Sequence, residues 1–134
     1  MDELSFNTNS LFEEIRYDPN SNDWIFSFSH SISVLVSSFW RLLDNGKISL
    51  VSLDHGHQFG MPNSVDMTEL LSGSLTGKAL TGMHVVKNTG DLRLSFTDNM
   101  EIEIFITSTG YESYQFGING KTYIALGGGD IAIF

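Results

Sequence analysis

Two stretches of this chain align with each other without a gap, and this internal repeat limits the folds that the sequence can adopt. LFEEIRYDPNSNDWIFSFSHSISVLV, from Leu11, matches ALTGMHVVKNTGDLRLSFTDNMEIEI, from Ala79, at a shift of 68 residues. Identical residues include Asn20 and Asn88, Asp23 and Asp91, Ser27 and Ser95, and Phe28 and Phe96. A repeat of this kind predicts two copies of one supersecondary unit, each of which must bury its apolar face against the other.

Apolar and polar residues alternate through both copies, which indicates strands with one buried face. The apolar positions are Trp24, Phe26, Phe28, Ile32, Val34 and Val36 in the first copy and Leu92, Leu94, Phe96, Ile102, Ile104 and Ile106 in the second. Asn45-Gly46 and Asn119-Gly120 each stand between two apolar runs and predict hairpin turns. Since these turns correspond at a shift of 74, the second copy contains six extra residues, which fall around TSTGYESY.

These patterns predict a mainly β fold with one short helix. Two four-strand units, residues 11–58 and 79–134, are expected to pack as a sandwich or a curved roll with pseudo-two-fold symmetry. The linker, residues 59–78, contains the helix, which we expect to begin with Ser64 as its N-cap, to run to Leu71 and to end at Gly73. A chain of 134 residues predicts a single domain.

The charge balance excludes several classes of partner. Seven Lys and Arg residues stand against sixteen Asp and Glu residues, for a formal net charge of -9. Such a charge repels phosphate backbones and anionic lipids, so we expect neither a nucleic acid nor a membrane partner. No apolar run reaches the roughly 20 residues of a membrane span, and MDELSFNTNS has no signal-peptide pattern, which predicts a cytoplasmic protein. The absence of cysteine excludes disulfides and thiolate metal sites.

The segment LDHGHQFG, residues 53–60, has two interpretations. His55 and His57 lie on the same face of an extended segment, and Asp54 could orient one of them, which together would suit a metal ion. Alternatively the segment is only the turn that follows a strand, because LDHG aligns within about a residue of LGGGD in the second copy. The sequence favours the turn, and a metal-dependent or small-molecule-binding domain that uses Asp54, His55 and His57 is the alternative hypothesis.

No complete catalytic motif occurs in the sequence. SGSLTGKAL, from Ser72, resembles a phosphate-binding loop, but it is one spacer residue short and has Ala79 where the loop needs a hydroxyl. Neither a G-x-S-x-G nor an H-E-x-x-H motif is present. We therefore predict no catalytic residue and no cofactor, and we expect a protein that binds rather than catalyses.

The insertion in the second copy is the best candidate for a binding surface, since tyrosines are favoured contact residues. A basic protein partner is expected to contact it together with an acidic stripe; the predicted contact residues are Tyr111, Glu112, Tyr114, Asp98, Glu101 and Glu103. Two alternatives remain open: the tyrosines pack inward, or Glu101 and Glu103 form an ordinary solvated face. A homodimer formed through exposed strand edges is a third hypothesis.

TGDLRLSF, GYESY and GGGDIAIF, with DHGHQFGMP upstream, are similar to a family of small bacterial domains of unknown function. In that family a TGDL, a GYE-x-aromatic and a terminal glycine run recur in this order. The resemblance covers about the last two thirds of the chain and implies neither a catalytic activity nor assigned site residues. By analogy, small acidic domains of this kind include immunity and accessory proteins of bacterial toxin systems.

Overall fold

The computed structural model describes residues 4–134, which form eleven strands and one α-helix. The strands are β1 (Leu4–Asp18), β2 (Asp23–Phe28), β3 (Ile32–Val36), β4 (Trp40–Asp44), β5 (Lys47–Val51), β6 (Ala79–Val85), β7 (Leu92–Phe96), β8 (Met100–Ile104), β9 (Tyr114–Ile118), β10 (Lys121–Ala125) and β11 (Ile131–Ile133). The helix α1 (Met67–Leu75) lies within the predicted linker. The mainly β fold with one short helix is confirmed.

All strands belong to one antiparallel sheet in the order β11-β10-β9-β3-β2-β1-β6-β7-β8-β4-β5. The long strand β1 joins its two halves, because residues 4–11 pair with β6 and residues 12–18 pair with β2. Register shifts of the bulge type interrupt both ladders of β1, and bulges bend a strand. We call the part from β5 to residues 4–11 of β1 the β5 half-sheet, and the remainder the β11 half-sheet.

The two half-sheets face each other across the core. Phe26 contacts Trp40 at a ring-centroid distance of 5.8 Å, and Phe28 contacts Phe96 at 6.0 Å; each pair joins opposite half-sheets. Burial alternates along the strands, as the sequence predicted, and the buried side chains form one hydrophobic cluster. Packing of two apolar sheet faces in this way produces a sandwich.

The pairing of strands is pseudo-symmetric, and the two units exchange hairpins. The ladder β1·β2 joins Phe12 to Phe28, and the ladder β6·β7 joins their counterparts Leu80 and Phe96. The β4–β5 hairpin of the first unit pairs with β8 of the second, while the β9–β10 hairpin of the second pairs with β3 of the first. The first unit contains five strands, residues 12–18 of β1 and β2 to β5, and the second contains six, β6 to β11, because residues 12–18 and β6 also correspond and β11 has no counterpart in the first unit.

The hairpin turns form at the predicted Asn-Gly pairs. Asn45 and Gly46 have φ values of 51° and 80°, and Asn119 and Gly120 have 55° and 75°, as two-residue turns between twisted strands require. The helix differs from its prediction. Asp66 caps its N-terminus, since its carboxylate accepts hydrogen bonds from the backbone N–H groups of two first-turn residues. Within residues 4–134, no helix has the length and apolar composition of a membrane span.

Candidate functional site

Six segments that link strands gather at one end of the sandwich, which we call the loop end. They are residues 19–22, 37–39, 52–57, 86–91, 105–113 and 126–130. Direct contacts join neighbouring segments: the N–H of Ser37 donates to the carbonyl of Ser113 at 2.9 Å, and the N–H of Gly128 donates to the carbonyl of Ser108 at 3.1 Å. Between them the rings of Phe39 and Phe105 stack at 4.9 Å. The loop end is therefore one continuous surface.

Glycines allow three segments of the second unit to meet backbone to backbone. A Cβ on Gly127 would lie 2.2 Å from the carbonyl carbon of Thr109, and a Cβ on Gly129 would lie 2.6 Å from the carbonyl oxygen of Asn88. A Cβ on Gly90 would lie 2.8 Å from the Cα of Gly129. The TGDL, GYE and GGG motifs noted in the sequence thus meet at a single junction.

Residues of this junction line an open cleft of about 520 Å³, and we call them its floor. The cleft is lined by Asn88, Thr89, Asp91, Ile106, Thr107, Ser108, Thr109 and Gly128. Asp91 holds one wall, because its Oδ1 accepts the N–H of Ile106 at 2.8 Å. Ser108 orders the same segment further along, since its Oγ accepts the N–H groups of Gly110 and Tyr111. We call this the second-unit cleft.

The structure separates the three predicted contact residues of the insertion. Tyr111 is 82% exposed at the loop end, and Glu112 is exposed beside it. Tyr114 instead lies in the core, 1% exposed, and its Oη donates to the carbonyl of Gly90 at 2.7 Å. Its inward position follows from the alternation of β9, in which Tyr114 shares the buried face with Phe116. Tyr114 therefore supports the cleft from below and is not part of a contact surface.

The burial of Tyr114 predicts a loss of stability at alkaline pH. Desolvation, with a smaller contribution from the charge of Asp91, raises the pKa of Tyr114 above its ordinary value near 10. The unfolded chain therefore loses this proton at a lower pH than the folded protein, so the stabilisation is complete below pH 10 and declines as the pH rises further. The free energy of unfolding, measured from about pH 8 to 11, should fall more steeply for the wild type than for Tyr114→Phe. A difference between the two proteins that stays constant with pH would contradict this prediction.

The predicted acidic stripe is not a free acidic surface. Asp98 lies in the turn between β7 and β8, at the opposite end of the sandwich from Tyr111, and pairs with Lys78. Glu103 pairs with Arg41 at 2.7 Å and its side chain is only 15% exposed. Glu101 lies 3.7 Å from the Nε of Arg93. All three carboxylates thus have cationic neighbours, and neighbouring strands supply two of those cations. Their contact with a partner stays a prediction.

His55 lies in the turn after β5, at the position that corresponds to the glycine run after β10. A short turn follows each strand: a 3₁₀ turn, Ser52–Asp54, in the first unit, and Gly127–Gly129, in which Gly128 has a φ of 78°, in the second. His55 packs against the rings of Tyr17 and Trp24, at 4.7 and 5.2 Å. These three residues, with Asn22, Ser38, Ser52 and Leu53, line a smaller cleft of about 330 Å³.

The hydrogen bonding of His55 disfavours the metal hypothesis. Its Nδ1 accepts the backbone N–H of Met67 at 3.1 Å, so the proton of the neutral ring is on Nε2. A neutral imidazole binds a metal through the lone pair of its unprotonated nitrogen, and in His55 that lone pair already accepts the N–H of Met67. His57 stacks on Phe59, and no group of three or more potential ligands occurs in the described part of the chain. The site of Asp54, His55 and His57 stays a prediction that elemental analysis of the untagged protein would test.

The loop end carries the largest excess of unpaired negative charge. Its segments and the strand ends beside them contain six carboxylates: Asp18, Asp23, Asp54, Asp91, Glu112 and Asp130. They contain two histidines, His55 and His57, and a single lysine or arginine, Lys87; none of the six carboxylates forms an ion pair with any residue in 4–134. Three of the four lysines, Lys47, Lys78 and Lys121, lie near the opposite end of the strands. The charge of the molecule is therefore polarised along the sandwich.

Comparisons with protein-family models, with curated proteins and with solved structures found no match to this chain. The resemblance to a family of small bacterial domains consequently stays a prediction.

Sequence reasoning missed Asp91 as a site residue, although the repeat contained a usable signal. Asp91 and Asp23 are identical in the two copies and stand at the start of equivalent strands. Their identity served only as evidence for the repeat. The position of the insertion, which forms the wall opposite Asp91, becomes visible only when the strand pairing is known.

Proposed function

We propose that this protein is a non-catalytic binding domain whose loop end contacts a basic protein partner. The observation that supports the proposal is the set of six loop-end carboxylates with Lys87 as the only lysine or arginine among them. Carboxylates without internal ion pairs attract cations from solution, and this attraction both accelerates encounter and orients the partner.

The loop end also offers apolar contact area. Leu53, Tyr111 and Leu126 are large side chains with exposures of 64%, 82% and 41%. Protein interfaces combine such anchors with a polar rim, and tyrosine is enriched among their contact residues. By analogy only, such a domain would suit an immunity or accessory protein of a bacterial toxin system, and we place it in the cytoplasm.

A basic peptide tests this proposal directly. The probe is a fluorescein-labelled peptide of about ten alternating lysines and arginines, and its Kd is measured by fluorescence anisotropy at about 50 and 150 mM NaCl. The triple variant Asp54→Asn, Glu112→Gln, Asp130→Asn should raise the Kd about tenfold at the lower salt, because each charge contributes roughly 0.5 kcal/mol at an exposed site. The effect should shrink at the higher salt.

The matched control removes three charges elsewhere. The variant Glu13→Gln, Asp44→Asn, Glu69→Gln replaces exposed carboxylates outside the loop end and brings the same change in net charge. It should alter the Kd less than about twofold. Equal increases of the Kd in the two triple variants would contradict the proposal, because the attraction would then depend on the net charge of the protein and not on the loop end.

A further inference from the structure

We propose that the second-unit cleft is a pocket for an arginine side chain. The inference rests on the proposed function, because it names the group of the basic partner that enters the loop end. The cleft, of about 520 Å³, has room for one guanidinium group and its stem, and it opens on the surface that carries the unpaired carboxylates.

The groups that line the cleft match a ligand that only donates hydrogen bonds. Asp91 uses Oδ1 to accept the N–H of Ile106, while its Oδ2 has no hydrogen bond within residues 4–134. The side chains of Asn88, Thr107 and Thr109 likewise make no hydrogen bond to another described residue. A guanidinium presents five N–H donors in a plane and no acceptor, so a carboxylate flanked by amide and hydroxyl oxygens satisfies it.

The cleft is also held in shape before any ligand arrives. The close approach of Gly127 to Thr109 and of Gly129 to Asn88 fixes its floor, and the hydrogen bond from Tyr114 to Gly90 supports that floor from the core. In a preorganised site the loops are already ordered, so the entropic cost of ordering them does not weaken binding.

Tyr111 adds an aromatic surface on the loop that forms one wall. Its backbone N–H is bound to Ser108 Oγ at 2.9 Å, and its ring is exposed to solvent. Guanidinium groups stack on aromatic faces more readily than ammonium groups do. This preference favours arginine over lysine.

The first unit provides an internal control at the corresponding position. Asp23 is the counterpart of Asp91, and both side chains are half-buried. Near Asp23 the aromatic rings of Tyr17, Trp24 and His55 pack against one another in place of the glycine junction. Replacement of Asp23 therefore removes the same charge from the same end of the molecule without touching the second-unit cleft.

The experiment titrates the whole protein with three capped tripeptides, Gly-Arg-Gly, Gly-Lys-Gly and Gly-citrulline-Gly, and follows backbone amide shifts by NMR. Citrulline has the shape of arginine without its charge. The arginine peptide should shift the amide signals of residues 88–91 and 105–111, and its Kd should be at least about tenfold lower than that of the citrulline peptide. Asp91→Asn, which keeps an acceptor for the Ile106 N–H, should raise the Kd at least about tenfold, and Asp23→Asn, which removes only a loop-end charge, about twofold.

Equal binding of the arginine and citrulline peptides to the wild type would overturn the proposal of an arginine pocket. This comparison uses only the wild-type protein, so it does not require that a variant folds. Equal effects of Asp91→Asn and Asp23→Asn would overturn the proposal as well. If these results contradict the arginine pocket while the loop-end triple variant still weakens the binding of the long basic peptide, the proposed function stands. If the triple variant has no effect, the proposed function itself fails.

Discussion

Replacing Gly127 with alanine is expected to destabilise the protein by about 3 kcal/mol or more, as measured by urea unfolding. The added Cβ would lie 2.2 Å from the carbonyl carbon of Thr109 and 2.3 Å from the backbone nitrogen of Gly110. Because these atoms belong to the backbone, no side-chain rotation can relieve the overlap, and the two loops must move apart. The same movement would open the second-unit cleft, so the arginine peptide should also bind more weakly.

The matched control for this variant is Gly73→Ala. Gly73 lies inside α1, and a Cβ there would have no heavy atom within 4 Å. Alanine has the higher helix propensity, so this substitution should stabilise the protein by about 0.5 to 1 kcal/mol. A Gly127→Ala protein as stable as the wild type would show that the loops do not approach as closely as described.

Replacing Phe116 with alanine is expected to cost about 3 to 5 kcal/mol of unfolding free energy. Phe116 stacks on Tyr123 of the same half-sheet at 4.8 Å and meets Phe6 of the opposite half-sheet at 5.9 Å. Its removal leaves a cavity at the place where the half-sheets touch. Phe59→Ala is the control, since Phe59 is largely exposed, and its cost should stay below about 0.5 kcal/mol. Similar costs for the two variants would contradict the packing described.

The strands and turns were predictable from the sequence because their signals are local. Alternation places Phe26 and Val34 on the buried face whatever lies beside them, and Asn-Gly needs only its own backbone to form a hairpin turn. The exchange of hairpins was not predictable in this way. The local pattern of β4 identifies a strand with one apolar face, but it does not say whether the strand's backbone pairs with β3 of its own unit or with β8 of the other.

The errors at the candidate site have equally specific causes. Ser64 and Asp66 are both good N-cap residues, and the choice depends on which carboxylate or hydroxyl reaches the first turn. Tyr114 stands two residues before Phe116, so the alternation of a strand places both side chains on the same buried face. The position of Tyr114 in a distinctive insertion outweighed that signal. The pairing of Glu103 with Arg41 required the order of the strands, which no local pattern contains.

The exchange of hairpins also determines when this chain can fold during its synthesis. The first unit leaves the ribosome before β8 has been made, so its β4–β5 hairpin has no strand to pair with. The second unit in turn needs β3 of the first for its own hairpin. Both units must therefore be complete before either is stable, and such long-range pairing makes folding slow. In the interval two nascent chains could satisfy the same pairings with each other, which would give an interlocked dimer with the strand contacts of the monomer.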